Sequence, residues 1–403
     1  MIERKEYLQK LIQWKDEQVI KVVTGMRRCG KSTLLMQYQD YLKSIGVEDD
    51  QIIAINFEDL EYEELCEYKV LYDYLKERLL SDKTTYIFLD EIQKVPQFEK
   101  VVDSLYIKSD TDIYITGSNA YMLSGELATL LSGRYVEISM LPYCQLNRKP
   151  QEDAFADYMK FGGLPLVASM KDAPDKIDTY LEGIYNTVII KDIEDRQNRQ
   201  SESSGRRKVT DIVLLKTIAK YLASVLGSPV SIRGITNYLI SSGRKISPNT
   251  VNDYLETLTE SFLFYPAERF DIAGKQILTG NKKYYMADLG IRNHILPRKK
   301  YDLGFSIENV VFFELLRRGY KVAVGKYQNT EVDFVVEKQG AFTYIQVTAE
   351  MTTKDTFDRE MKPLYAIRDN YEKIVLTLDK LTLGNYDGIR VIHVLDWLLK
   401  AEA

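Results

Sequence analysis

Residues 25–33 read Gly25-Met26-Arg27-Arg28-Cys29-Gly30-Lys31-Ser32-Thr33 and match the phosphate-binding pattern G-x-x-x-x-G-K-[ST]. The β-branched run before Gly25 predicts a buried parallel strand, and the apolar spacing after Thr33 predicts a helix. These two flanks favour a nucleotide loop over a chance glycine-rich turn. We expect the nine residues to bind a nucleotide, with Lys31 at the β- and γ-phosphates and the Ser32 hydroxyl at Mg²⁺.

Two carboxylates end the next strongly apolar run. Residues 85–89 read Thr-Tyr-Ile-Phe-Leu and are followed by Asp90 and Glu91. Open α/β sheets bind ligands at the carboxyl ends of their parallel strands, so we expect this pair beside the loop. Asp90 would hold Mg²⁺ through its water shell, and Glu91 would act as the general base on water. The alternative is a pair of solvated acids at an exposed strand end, which the preceding loop disfavours.

Polar residues also follow the next predicted strand, at 112–116. We expect Asn119, with Ser118 as the second choice, to contact the γ-phosphate or the attacking water; an ordinary Asx turn is the alternative. Arg134 comes just ahead of a predicted strand at 135–138. It is a candidate arginine finger for the nucleotide of a neighbouring subunit, and the alternative is a surface arginine paired with an acid.

Several segments, in this order along the chain, resemble one known family. They are Gly-x-Arg-Arg-x-Gly-Lys-Ser-Thr-Leu-Leu from residue 25, Leu-Asp-Glu-Ile-Gln at 89–93, Thr-Gly-Ser-Asn at 116–119, Leu-Ser-Gly-Arg at 131–134, Phe-Gly-Gly-Leu-Pro at 161–165 and Ile-Glu-Asn at 307–309. They resemble the AAA-type ATP-binding proteins of bacteria and archaea that carry a C-terminal domain of unknown function. The resemblance implies an AAA+ module that uses ATP and Mg²⁺. It also implies that Arg134 is the finger of a homo-oligomeric ring, a hexamer being one candidate size.

Length and composition limit the possible classes of protein. The chain has 403 residues, of which 45% are apolar, so we expect two to four domains with sizeable cores. Its three cysteines form no C-x-x-C pair, which predicts a reducing, cytoplasmic environment. The sequence has no apolar run near the roughly 18 residues of a membrane span. With two histidines, a histidine-built metal site or triad is not expected. The net charge of −5 confines any nucleic-acid contact to a local patch.

The pattern of helices and strands predicts an α/β protein with four parts. These are a P-loop AAA+ ATPase core at 1–144, a helical lid at 145–204, a winged helix-turn-helix at 205–275 and a restriction-endonuclease-like α/β domain at 276–403. The predicted lid consists of helices at 152–161, 176–188 and 190–196. Such lids move with the nucleotide state.

Three predicted helices at 211–226, 232–240 and 251–261 precede a strand, as in a winged helix. Asn249 is expected to cap the third helix, whose groove-facing positions would be Asn249, Thr250, Asn252 and Tyr254. Winged helices dock on DNA or on proteins, and both partners remain open. A DNA-binding face would include Arg244 and Lys245.

The order of helix and strands after residue 307 resembles the restriction-endonuclease-like fold. In active members, an acid on the first helix, an Asp and a Glu-x-Lys gather Mg²⁺, and Glu308 and Asp333 match the first two positions. Gln346 and Thr348 stand where that resemblance requires Glu and Lys. We therefore expect the fold to be retained and its chemistry to be lost.

The leading hypothesis is a Mg²⁺-dependent oligomeric ATPase that hydrolyses ATP to ADP and phosphate. Lys31, Glu91, Asn119 and Arg134 would form the catalytic set, and the nucleotide cycle would act on DNA or a protein partner through residues 205–403, without a membrane. One alternative is a nucleotide-controlled binding switch with negligible turnover. The other is an ATP-regulated DNA nuclease, which the residues at 346 and 348 disfavour.

Overall fold

The computed structural model describes most of the chain as two compact units. The described residues are 4–108, 110–118, 131, 133–142, 151–170, 173–200 (backbone only from 191), 211–296 and 303–400. The first unit comprises residues 1–142 with 260–262, and the second comprises 143–259 with 263–403. No helix among the described residues is long and apolar enough to cross a lipid bilayer.

The first unit is a parallel α/β layer structure. Its described helices are α1 (Lys5–Gln13), α2 (Lys31–Ser44), α3 (Tyr68–Lys76) and α4 (Phe98–Tyr106). Its strands are β1 (Ile20–Thr24), β2 (Ile52–Asn56), β3 (Thr85–Asp90), β4 (Thr111–Gly117) and β5 (Tyr135–Ser139), in the sheet order β2-β3-β4-β1-β5. All neighbouring strands are parallel. The predicted α/β class with a parallel central sheet is therefore confirmed.

Both faces of this sheet are covered, which explains why its strands read as continuous apolar runs. Every residue of β1 and of β3 is buried. One apolar cluster packs on each face. Because β4 lies between β1 and β3, the carboxyl ends of these three strands meet at one edge of the sheet.

The opposite, amino-terminal edge of the sheet holds a buried ion pair. Lys21 Nζ lies 2.6 Å from Asp112 Oδ1, and the two residues are 0% and 2% exposed. The Tyr114 hydroxyl donates to Asp112 Oδ2 at 2.8 Å, and the same oxygen accepts from the N–H of Asp16 at 2.9 Å. Asp112 thus has three donors, which the sequence alone did not reveal.

The second unit combines a helical part with a large mixed sheet. Its described helices are α5 (Gln151–Phe161), α6 (Pro174–Gln200), α7 (Ile212–Ser224), α8 (Ile232–Ser241), α9 (Pro248–Glu260), α10 (Leu289–Ile295), α11 (Leu303–Arg317), α12 (Lys354–Ala366) and α13 (Val394–Leu399). Its strands are β6 (Phe264–Asp271), β7 (Gln276–Met286), β8 (Lys321–Tyr327), β9 (Thr330–Lys338), β10 (Ala341–Thr348), β11 (Glu372–Thr377), β12 (Gly384–Tyr386) and β13 (Ile389–His393). The sheet order is β12-β13-β11-β10-β9-β8-β6-β7.

The sheet joins strands that the sequence assigned to different domains. β6 pairs antiparallel with β7 and parallel with β8, so the boundary predicted at 275/276 falls in the turn of a hairpin. The structure contains the three predicted helices α7 to α9 and a strand-rich C-terminal part. The winged-helix and endonuclease-like assignments themselves stay predictions.

Three local predictions for this unit were wrong. The helices predicted at 176–188 and 190–196 form one helix, α6. Ser247, not Asn249, caps α9: its Oγ accepts from the N–H of Thr250 at 3.2 Å, and a proline occupies the first helical position. Tyr254 does not face a groove, because it is 4% exposed and its hydroxyl oxygen accepts from the N–H of Asp211 at 3.1 Å.

The Phe-Gly-Gly-Leu-Pro motif at 161–165 forms a close joint after α5. Gly162 has φ +81°, and a Cβ there would lie 2.2 Å from Oδ1 of Asp288. The same carboxylate accepts from the N–H of Gly163 at 2.7 Å and from the N–H of Ile291 at 3.0 Å, so it also caps α10. Only glycine fits at 162, for both conformation and space.

Candidate nucleotide site

The loop at 25–33 is held in a tight turn against the segment after β5. Gly25 has φ +144° and Gly30 has φ +106°. A Cβ on Gly25 would lie 2.2 Å from the carbonyl oxygen of Met140, so only glycine allows this close approach. Met26 and Cys29 are fully buried beneath the loop. Burial raises the pKa of the Cys29 thiol, so this cysteine is a packing residue with low reactivity.

Lys31, at the start of α2, folds back over its own loop. Its Nζ donates to the carbonyl oxygens of Gly25 at 3.0 Å and Met26 at 3.3 Å. It also lies 3.8 Å from Oε1 of Glu91. Because the side chain is buried, these two carbonyls and Glu91 are its main polar partners. Phosphate oxygens are stronger acceptors than carbonyls and can replace them.

Ser32 and Asp90, the two predicted Mg²⁺ ligands, are within hydrogen-bonding reach of each other. Burial raises the pKa of Asp90, although hydrogen bonds from Thr116 and Ser32 act in the opposite direction. Asp90 is 7% exposed and lies at the last position of β3. A hydroxyl and a carboxylate are hard oxygen donors, the type that Mg²⁺ takes with retained waters. The residues present therefore fit a magnesium site.

Glu91 is held in an unusual conformation directly after β3. Its φ is +55°, a left-handed value that costs energy for a residue with a side chain and often marks a functional site. The Ser118 hydroxyl lies 2.7 Å from both carboxylate oxygens, and Gln93 donates to Oε2. Burial would raise the pKa of Glu91, but the charge of Lys31 and the Ser118 and Gln93 hydrogen bonds lower it below its ordinary value. Glu91 is thus ionised at neutral pH.

Thr116 links the two carboxylate positions, and sequence reasoning missed it. Its hydroxyl donates to Asp90 Oδ1 and accepts from the N–H of Glu91 at 2.9 Å. Thr116 lies near the end of β4, and only the position of β4 beside β3 brings it to the site. Gln93 was also missed, although it belongs to the quoted Leu-Asp-Glu-Ile-Gln segment. Asn119, the first choice after β4, lies outside the described residues.

Arg4 is another residue beside the phosphate loop that the sequence did not reveal. Its side chain is almost fully buried, with Nη2 donating to the carbonyl of Leu141 at 2.8 Å and Nη1 to that of Cys29 at 3.4 Å. It therefore joins the phosphate loop to the segment after β5. Arg27, intermediate in exposure, lowers the pKa of Glu91 through its charge.

Arg134 lies at the other edge of the sheet from the phosphate loop. Its carbonyl accepts from the N–H of Ile20, the first residue of β1, at 2.8 Å. Its guanidinium pairs with Asp103 of α4 and lies 5.3 Å from the ring centre of Tyr106, and the side chain is 41% exposed. Arg134 therefore does not reach the nucleotide site of its own chain.

The chain matches three family models that cover almost its entire length. An AAA domain matches residues 17–147, and two domains of unknown function, DUF8612 and DUF4143, match residues 152–302 and 303–397. An uncharacterized protein of Haemophilus influenzae is 40% identical over 411 residues, covering 99% of this chain and 99% of that protein. The chain belongs to this family of AAA-domain proteins. An uncharacterized protein of Methanocaldococcus jannaschii is 29% identical over 412 residues, covering 94% of this chain and 85% of that protein.

A solved structure supports the fold of the AAA-domain protein. A Walker-type ATPase of Pyrococcus abyssi superposes with a TM-score of 0.51 at 14% identity, covering 73% of this chain and 96% of that chain. At this identity the likeness concerns the fold. Together with the AAA-domain match, it places the chain in the structural class of P-loop ATPases.

Proposed function

We propose that this AAA-domain protein is a Mg²⁺-dependent ATPase that hydrolyses ATP to ADP and phosphate. The observation that carries the proposal is the meeting of Lys31, the Ser32–Asp90 pair and Glu91 at one edge of the sheet. A loop that only bound nucleotide would not need an ionised, strained carboxylate beside its lysine. The AAA-domain match supports the same class of activity.

Each described residue has a role that its contacts support. The backbone N–H groups of residues 25–33 bind phosphate oxygens, and Lys31 exchanges its carbonyl partners for the β- and γ-phosphates. Ser32 and Asp90 would hold Mg²⁺, which would neutralise charge that develops on the phosphates. Glu91 accepts a proton from the attacking water, with Ser118 and Gln93 orienting its carboxylate. Asn119, which lies outside the described residues, is proposed from its sequence position to contact the γ-phosphate or the attacking water.

Two variants separate binding from chemistry. Lys31→Ala should lose ATP binding, measured with a fluorescent ATP analogue, and hence turnover. Glu91→Gln should bind ATP normally and release phosphate about 100-fold more slowly, because a general base contributes 10²–10⁴-fold. Glu63→Gln, an exposed position in the same unit, is the matched control and should behave like the wild type. Wild-type turnover by Glu91→Gln would disprove the general-base role.

We further propose that the ATPase is a homo-oligomeric ring, in which Arg134 completes the site of a neighbouring subunit. The proposal is supported by the position of Arg134 at the amino-terminal edge of the sheet. There its partly exposed side chain can enter the nucleotide site of another chain. Arg134→Ala and Glu91→Gln should each hydrolyse ATP much more slowly than the wild type, yet a mixture should regain activity at interfaces that combine an intact finger with an intact base. Arg78→Ala, an exposed arginine over the Tyr74 ring, is the control. Full activity of Arg134→Ala alone would exclude the finger.

The partner is proposed to be DNA or a protein bound through residues 205–403. Arg244 pairs with Asp211 at 2.7 Å, whereas Lys245 is exposed without a salt bridge in the described contacts. If DNA binds this face, the double variant Arg244→Ala, Lys245→Ala should flatten the salt dependence of binding. An unchanged slope would direct the search to a protein partner. The family and the free thiols of Cys29 and Cys66 support a cytoplasmic location.

A nucleotide-controlled switch is the second candidate, and the contacts of Glu91 favour it in part. Lys31, Ser118 and Gln93 all contact the carboxylate. If these contacts persist with ATP bound, ATP stays in the site and its hydrolysis is slow. Phosphate release measured over a range of protein concentrations, with and without DNA, distinguishes the two. A rate that rises with both favours the oligomeric ATPase. Tight ATP binding with a flat, near-zero rate favours the switch.

A further inference from the structure

The ammonium of Lys283, on β7 of the second unit, lies buried among three carboxylates. Its Nζ is 3.1 Å from Glu308 Oε1, 2.9 Å from Glu331 Oε1 and 3.8 Å from Asp333 Oδ1, and the residue is 2% exposed. Burial lowers the pKa of Lys283, but the three carboxylates outweigh this effect and raise the pKa above its ordinary value. Lys283 therefore stays charged.

Strand geometry explains why these groups meet. Lys283 and Tyr285 are two residues apart on β7, so both side chains leave the same face of the strand. The Tyr285 hydroxyl donates to Glu308 Oε1 at 2.7 Å, and its ring stacks on Phe312 with centroids 4.1 Å apart. Asn309, the next residue of the Ile-Glu-Asn motif, exchanges two hydrogen bonds of 2.9 Å with the backbone of Met286. The motif thus ties α11 to β7.

The polar groups around the cluster are also paired within the protein. Asp333 Oδ2 accepts from the N–H of Val347 at 2.8 Å. Gln346 accepts from the N–H of Asp333 at 3.3 Å and donates to Glu360 at 3.0 Å. Arg359 donates to the other oxygen of Glu360 at 2.8 Å. Each carboxylate of the cluster therefore has a donor from the chain itself.

These residues do not fit the metal that an endonuclease-like fold implies. Gln346 uses both ends of its amide on Asp333 and Glu360, so it is neither charged nor free to bind an ion. Thr348, at the expected lysine position, turns its hydroxyl to the carbonyl of Glu350 at 3.2 Å. Across the described part of the chain, no three or more His, Cys, Asp or Glu side chains are arranged to hold a metal ion.

We propose that the Lys283 ammonium takes the place that a divalent cation has in an active nuclease of the endonuclease-like fold that the sequence predicts, and that the C-terminal domain is metal-free and non-cleaving. A tethered ammonium offsets part of the carboxylates' negative charge, but it cannot generate a hydroxide or polarise a phosphodiester as a bound Mg²⁺ does. The side-chain stem fixes the charge in place, so this cation does not exchange. The proposal concerns the second unit and is independent of ATP hydrolysis in the first.

An added ion can reach the cluster, which makes the proposal testable. A cavity of about 490 Å³ opens over the cluster, with Glu308, Asp333, Gln346 and Thr348 in its lining. A divalent cation that fits would therefore bind to the folded protein from solution. Failure to bind would report on the donor set and not on access.

The experiment replaces the charge of Lys283 in the full chain and follows thermal unfolding without nucleotide, with and without millimolar Mn²⁺. Lys283→Met keeps an unbranched apolar stem, and Lys283→Arg keeps the charge as a control. The wild-type midpoint should not respond to Mn²⁺. Lys283→Met should unfold on the order of 10 °C lower, because it strands buried carboxylates. Mn²⁺ should restore much of this loss, and adding Asp333→Asn should remove the restoration.

Several results would overturn the proposal. Mn²⁺ could raise the unfolding midpoint of the wild type, or cause it to nick plasmid DNA, in a way that Asp333→Asn abolishes. Lys283→Met could also be as stable as the wild type, or be destabilised without any recovery in Mn²⁺. If Lys283→Met does not fold, adding Glu308→Gln and Asp333→Asn removes the stranded charges. Recovery of folding then supports the proposal, and continued unfolding contradicts it.

Discussion

Lys31 in the first unit and Lys283 in the second are 4% and 2% exposed, and each lies beside carboxylates. Lys31 is 3.8 Å from a single carboxylate, Glu91, and its hydrogen bonds go to two carbonyls of its own loop. Lys283 lies within 3.8 Å of three carboxylates. The first lysine has weak partners that a phosphate can replace. The second has strong, charged partners that hold it in place.

The difference shows that residue types alone do not separate a binding site from a completed ion cluster. Both regions offer a lysine and acids near strand ends, and the number of compensating charges decides between them. In a site that exchanges ligands, the lysine ammonium has few carboxylate partners and lies on a glycine-rich loop. In a structural cluster, several carboxylates surround the lysine ammonium. The lysine lies on a strand, where it moves little. The predictions below test this contrast.

The largest expected effects are opposite in the two lysine variants, one of which loses ATP binding and the other stability. Lys31→Met should weaken ATP binding by about 100-fold or more, equivalent to about 3 kcal/mol, because it removes a charge-assisted contact to phosphate. It should change the free energy of unfolding by less than about 1 kcal/mol, since no carboxylate depends on Lys31 alone. Lys283→Met should leave ATP binding unchanged and lower the free energy of unfolding. ATP titration and urea unfolding of the two variants measure both quantities.

If Lys31→Met unfolded the protein, or Lys283→Met weakened ATP binding as much as Lys31→Met does, the contrast would fail. Lys220→Met, at an exposed lysine of the second unit, is the shared control. It should leave both ATP binding and stability at wild-type values.

Lys21 is the third strongly buried lysine among the described residues, and it should behave like Lys283. Lys21→Met strands Asp112, which keeps the Tyr114 hydroxyl and one N–H as donors, so we expect a loss of about 3 kcal/mol of stability. Adding Asp112→Asn should recover part of the loss, because the stranded charge is then gone. Additive losses in the double variant would show that the pair is not coupled.

The sequence predicts what is local and misses what depends on strand order. β1, the phosphate loop and β3 carry their own signals in composition and spacing, so Gly25 to Thr33 and Asp90 could be named as candidates without the structure. Thr116 and Arg4 reach the site only through the sheet order and the packing of the N-terminal segment. Lys283 lies on β7, whose polar pattern did not predict a strand at all. Its three acids come from α11 and β9, far away in sequence.

A smaller effect is expected at high pH. Lys283 has its pKa raised above the ordinary lysine value of 10.5 by its carboxylates, so the folded state keeps a proton that the unfolded chain loses. Stability from this group is complete below pH 10.5 and falls as pH rises toward the folded pKa. The wild type should therefore lose about 1 kcal/mol more per pH unit than Lys283→Met in this range. Parallel pH profiles of urea unfolding for the two proteins would refute a raised pKa.

The smallest expected effect concerns Glu91. Burial opposes the ionised form of this carboxylate, while Lys31, Ser118 and Gln93 lower its pKa below the ordinary 4.5. Its contribution to stability is thus present above pH 4.5 and is lost as pH falls through the lowered pKa. Ser118→Ala removes a donor that lies 2.7 Å from both oxygens, so the pKa of Glu91 should rise.

For the ATPase, Ser118→Ala should shift the acidic limb of kcat/KM to higher pH, because Glu91 then needs a higher pH to ionise. Ser118→Thr, which retains the hydroxyl, should shift the limb less, and Ser44→Ala on α2 should not shift it. A uniform drop in kcat/KM at every pH would instead mean that Ser118 only supports the fold. A shift confined to the acidic limb would mean that Ser118 keeps Glu91 ionised for proton transfer, a role that no carboxylate of the Lys283 cluster has.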